Sequence, residues 1–145
     1  SELFSEEKEM IRKLKKTFLM VAGGAVQKYG PQLEDHQQLL IAAADILIEI
    51  YMAESAILRT EKNVKRTSEK EQSAQIAMAK LYLYHAVDIV EEKGKESIIS
   101  FAEGDEQRML LMGLKRFTKY ANYPDIVDLR IEIAEKVKEE NSYCF

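Results

Sequence analysis

The sequence predicts an all-α fold, an up-down antiparallel bundle of four to five helices. Three observations carry that expectation. Apolar residues recur at steps of three and four over long stretches, and no segment alternates with period two. Only 2 prolines and no tryptophan occur in 145 residues. Breaks between the periodic stretches are short, which makes consecutive helices antiparallel neighbours. The length suits one domain over residues 1–145, and the 46% apolar and 32% charged content is ordinary for a globular chain.

The first helix is expected from Ser5 to Tyr29. Ser5 is placed to cap it, and Glu6, Glu7 and Glu9 suit the positive end of its dipole. Ile11, Leu14, Phe18, Val21 and Ala25 form the seam of a packed helix. Gly23-Gly24 interrupts it, as a bend or as a close backbone approach, and Gly30-Pro31 ends it. A second helix should open at the capping-box pattern Asp35-His36-Gln37-Gln38 and run to about Lys62, with a turn over 63–67. Sixteen of the twenty residues from Leu39 to Leu58 are apolar. Asp45, Glu49 and Glu54 lie inside that stretch, which argues against a membrane span and for a central helix surrounded by neighbours.

A second capping box, Ser68-Glu69-Lys70-Glu71, is expected to open the third helix. There Ala74, Ala77, Leu81 and Tyr84 line one face and Leu83, Val87 and Val90 another, with a bend or stop at Gly94. Asp105 is placed to cap a fourth helix reaching Tyr120, and Pro124 to start a fifth with the stripe Ile126, Leu129, Ile133, Val137.

Charge and motif content exclude several function classes. The net charge is −4, from 21 basic and 25 acidic residues, so a nucleic-acid partner is not expected. The single cysteine, Cys144, rules out an internal disulfide. No phosphate loop, nucleophile elbow or His-Glu-x-x-His pattern is present. The bundle shape invites a di-iron site, but Leu33 and Tyr82 stand where Glu would have to precede His36 and His85. No metal, catalytic or cofactor-binding residue is therefore expected in this chain. Asp45 and Glu49 share a helix face and read better as carboxylates paired with Lys or Arg of a neighbouring helix than as an acid/base pair or a cation site. His85 reads as a packing residue rather than a base. The basic cluster Arg12, Lys13, Lys15, Lys16 reads as a solvated face rather than a membrane surface, because Glu6, Glu7 and Glu9 precede it.

The run Ala43-Ala44-Asp45-Ile46-Leu47-Ile48-Glu49-Ile50-Tyr51, with Arg59 eight residues on, resembles a C-terminal segment of the acyl-CoA dehydrogenases, in particular those of the very-long-chain type. That segment reads Leu-Ala-Asp, two variable residues, Ile, an acid, an aliphatic and Tyr. The polar run Gln37-Gln38-Leu39-Leu40 before it is similar as well. Ala44, Asp45, Ile48, Glu49, Tyr51 and Arg59 are the motif positions. The resemblance implies an accessory helical domain that follows a dehydrogenase core. In the family that core carries FAD and a catalytic glutamate, usually in a segment like Tyr-Glu-Gly-Thr-Asn, and no such segment occurs here. Ser1 in place of methionine fits a piece of a longer chain, while Asn141 to Phe145 reads as a natural stop.

The implied partner is the catalytic core of the parent chain, in a cytoplasmic enzyme of fatty acid metabolism. Phe18, Leu19 and Met20 are the candidate docking surface, and a symmetric homodimer is the simplest self-association. A free-standing helical interaction module and a peripheral membrane domain acting through the first helix are the alternatives.

Overall fold

The computed structural model describes residues 3–140. The expectations for Ser1, Cys144, Tyr143 and Phe145 lie outside the described residues. Five α-helices are present among these, and no strand: α1 (Ser5–Tyr29), α2 (Gln37–Arg66), α3 (Ser73–Phe101), α4 (Gly104–Phe117) and α5 (Ile126–Glu140). A 3-10 segment, Gly30–Asp35, joins α1 to α2.

Side-chain pairs fix the helix directions. Lys8 pairs with Glu61 and Lys15 with Glu54, so α1 and α2 are antiparallel. Tyr82 meets Glu49, and Asp45 lies beside Lys93 and Ser97, so α2 and α3 are antiparallel too. A Cβ on Gly24 would meet Phe101 at 2.5 Å, and one on Gly94 would lie 3.7 Å from Thr17, so α1 and α3 run parallel. The chain then reverses into α4, which packs on α3 and α1, while α5 packs on α3 alone. Lys13 donates to the Lys119 carbonyl at 2.5 Å and Asn122 to Glu6 at 2.6 Å, tying the α4–α5 link to α1.

Leu14 and Val21 from α1, Ile46 and Ile57 from α2, and Leu83, Val90 and Ile98 from α3 form the centre of the core. Leu114 brings α4 into it, and Phe4, fully buried, plugs one end. The bounds of α1 agree with the sequence pattern, but its start is not capped by Ser5. That side chain is exposed and makes no cap bond, and the Phe4 carbonyl accepts from Lys8 instead.

The Asp35 capping box does not form. Pro31 supports the 3-10 segment that consumes Asp35, and His36 stacks on Tyr29 with ring centroids 3.6 Å apart. The turn expected over 63–67 is helical as far as Arg66. Ser68 Oγ accepts from the Glu71 amide at 3.1 Å, but that bond closes a turn, and α3 begins later at Ser73.

Gly94 does not stop α3, which is continuous for 29 residues. It is buried, and a Cβ there would meet Leu114 Cδ1 at 2.9 Å. The glycine is thus where α4 comes closest to α3. Gly24 serves the α1–α3 crossing in the same way, while Gly23 faces open space.

Glu103, not Asp105, precedes α4, and Asp105 instead pairs with Arg108 at 3.0 Å within its first turn. The helix ends at Phe117, short of Tyr120. Pro124 precedes α5 rather than starting it, and Asp125 Oδ1 accepts from the Asp128 amide at 3.0 Å as the cap. The expected stripe of α5 is its half-buried side.

Candidate functional site

The side chains of α2 divide into two apolar stripes. Leu39, Ala42, Ile46, Ile50, Ala53 and Ile57 repeat at steps of three and four and are buried against α1 and α3. A second stripe follows the same rule on the far side: Ala44, Ile48, Tyr51, Ser55 and Arg59. Ile48 is 55% exposed and Tyr51 68%, and Ile41, Leu47, Met52 and Leu58 flank them, all exposed. The expectation that neighbours surround α2 is therefore wrong. Among the described elements only α1, α3 and the 3-10 segment pack on it, and the side that carries Ile48 and Tyr51 faces outward. Ile50, 2% exposed, is core as expected, and Ile48 is not.

Four of the six motif positions, Ala44, Ile48, Tyr51 and Arg59, thus share one outward face. Asp45 and Glu49 stand half-buried along its border with α3. Glu49 accepts a hydrogen bond from the Tyr82 hydroxyl at 3.0 Å. Burial first, then that bond and the charge of Glu49, push the Tyr82 phenol above its ordinary value. The two carboxylates were expected to pair with cations of a neighbouring helix. Glu49 takes a tyrosine instead, and Asp45 has no hydrogen bond or ion pair among the described residues.

The α1 surface is smaller than expected. Leu19 is 67% exposed, but Phe18 and Met20 are half-buried and pack against the core. The basic cluster is engaged by neighbours. Arg12 pairs with Glu9, Lys15 with Glu54, and Lys13 with the Lys119 carbonyl. His85 is exposed beside Tyr84. No helix among the described residues is long and apolar enough to cross a membrane.

Several cavities open on the surface of the bundle. One of about 690 Å³ between α3 and α4 has room for a ligand, but Asp88, Glu91 and Glu92 line its α3 wall. A diphosphate needs amide or cationic donors on all sides. Lys95, Arg108 and Lys115 supply cations, yet the three carboxylates offset them. Among the described residues, the mixed-charge lining of this cavity does not match a flavin diphosphate.

The sequence pattern missed Ile41, Met52 and Leu58 as surface residues. The signal was there, since sixteen apolar residues in twenty exceed what one helix face can bury.

Comparison with known proteins places this architecture. A probable acyl-CoA dehydrogenase of Bacillus subtilis (strain 168) is 32% identical over 143 residues, which is 99% of this chain and 24% of that protein. The crystal structure of an acyl-CoA dehydrogenase complexed with FAD from Bacillus anthracis superposes with a TM-score of 0.94 at 34% identity, over 100% of this chain and 25% of that one. The chain thus spans about a quarter of the length of these relatives. The family described as acyl-CoA dehydrogenase, C-terminal domain, matches residues 13–116, and the chain belongs to that family.

Proposed function

We propose that this chain is the accessory C-terminal helical domain of an FAD-dependent acyl-CoA dehydrogenase of the very-long-chain type, and that it contributes docking and assembly rather than chemistry. The parent would be a cytoplasmic enzyme of fatty acid oxidation. It would remove a proton and a hydride from the α and β carbons of an acyl-CoA, with FAD as the hydride acceptor. The carrying observation is the outward stripe of α2. Exposed apolar residues gathered on one side of a helix mark a contact surface, and Ile48 and Tyr51 at its middle belong to the family-like segment.

The contact surface is therefore α2 rather than α1. The test is Ile48→Asp in the full-length protein, with Leu19→Asp as the control on α1. Ile48→Asp should lower the melting temperature and subunit assembly while flavin content and the flavin half-reaction of the folded core persist. Equal behaviour of the two variants, or a loss confined to Leu19→Asp, would sink the assignment of the face. A symmetric dimer through the same stripe is the competing arrangement, and light scattering on the 145-residue chain separates it by a doubled mass.

A further inference from the structure

The docking face is continuous with a cavity. Beside Ile41, α2 and α3 part to leave a socket of about 180 Å³. Leu39, Ile41 and Ala42 form its apolar wall, Asp45 and Glu96 bring carboxylates to it, and Lys93 brings one cation. The socket therefore carries one net negative charge. Neither Asp45 nor Glu96 has a hydrogen bond or ion pair among the described residues. Asp45 is half-buried, so it has given up part of its hydration without a partner to replace it.

We propose that this socket receives an arginine side chain from the rest of the parent polypeptide when the α2 face docks on it. The inference rests on the docking reading above and adds the chemistry of the occupant. Three features select that chemistry. The volume is that of one long side chain, since an apolar cavity of about 150 Å³ holds a single benzene ring. The apolar wall suits an aliphatic stem, and the carboxylates suit a planar cation that can bond two oxygens at once. Arginine is also the charged residue most often found as an anchor in pockets at the centre of interfaces. The source is the remainder of the polypeptide because the relatives carry three quarters of their length outside the matched part, and because Ile41, exposed one turn before Ala44, both flanks the stripe and lines the socket. Arg59, at the far end of the stripe, gives the face a cationic end opposite its anionic one, which fixes the orientation of what docks.

The experiment uses the full-length protein with Ala44→Cys as a reporter on the face, labelled with a maleimide and read at that peptide by mass spectrometry. Labelling should be slow at about 0.1 M NaCl and faster near 1 M, as screening weakens the charge contact. Asp45→Asn with Glu96→Gln should speed labelling roughly tenfold or more at low salt and flatten the salt response. Both changes are conservative and on the surface, so the fold should persist, which circular dichroism checks. If the double variant labels as slowly as the parent with the same salt response, while Ile48→Asp labels fast, the socket proposal is overturned and the docking face stands. If the reporter labels fast in every variant, including the parent, the docking reading fails and the socket falls with it.

Discussion

Gly94 shows how one side chain too few can hold two helices together. Alanine is the better helix former, by about 1 kcal/mol, so Gly94→Ala should stabilise α3 if propensity decided the outcome. The Leu114 methyl at 2.9 Å from a Cβ there decides it the other way. Gly94→Ala should cost about 1–3 kcal/mol in urea denaturation, and Gly23→Ala, in open space, should be neutral or stabilising. A stabilising Gly94→Ala would mean that α4 is not closely packed. The pair Ile48 and Ile50 makes a second contrast. Ile50→Ala should cost about 2–5 kcal/mol and Ile48→Ala within about 0.5, because only the first leaves a cavity. Tyr120 supplies a pH test. Its hydroxyl is buried without a hydrogen-bond partner, and burial, then the charges of Glu7 and Asp88, raise its pKa strongly. The neutral phenol is favoured in the folded state. Stability is thus fully present below the unfolded phenol pKa near 10 and lost as pH rises beyond it. Tyr120→Phe should change stability little at pH 7 and make the alkaline loss shallower. Parallel alkaline curves for the two proteins would contradict this.

At the level of elements, helix existence was legible and helix starts were not. The run of α1 from Ser5 to Tyr29 follows from its seam and from Gly30-Pro31, both local signals. The capping boxes at Asp35 and Ser68 have the right letters, but tertiary contacts overrode them. Stacking of His36 on Tyr29 holds the chain in a 3-10 turn, and Ser68 spends its oxygen on a turn. Gly94 failed as a break signal for the same reason, since its cause is the helix across from it. The cap of α5 is real but lies two residues beyond where a helix starting at Pro124 would have it. Because α5 packs only on α3 and has no buried residue, that cap matters more than most. Asp125→Ala should destabilise α5 by about 0.5–2 kcal/mol, seen as faster amide exchange there with little change in α1 to α3. Uniform loss of protection across the bundle would show that α5 is not a separate unit.

At the scale of the whole molecule, the family-like segment was visible in the sequence, but its meaning was not. Sequence spacing puts Ala44, Ile48, Tyr51 and Arg59 on one side of a helix, yet only the positions of α1 and α3 show that this side faces out. The Phe18-Leu19-Met20 cluster misled because adjacent residues point in different directions, and two of the three turn to the core. In the proposed parent enzyme the α2 stripe is covered by the rest of the polypeptide. Hydroxyl-radical footprinting tests it without a mutation, because Tyr51 on the stripe and Met52 beside it are exposed, as are Tyr123 and Met109 elsewhere. Side-chain oxidation is compared between the 145-residue chain and the full-length protein. Tyr51 and Met52 should be protected several-fold in the full-length protein, with Tyr123 and Met109 unchanged. Equal oxidation of Tyr51 and Met52 in the two, or protection at Tyr123 and Met109 instead, would contradict it.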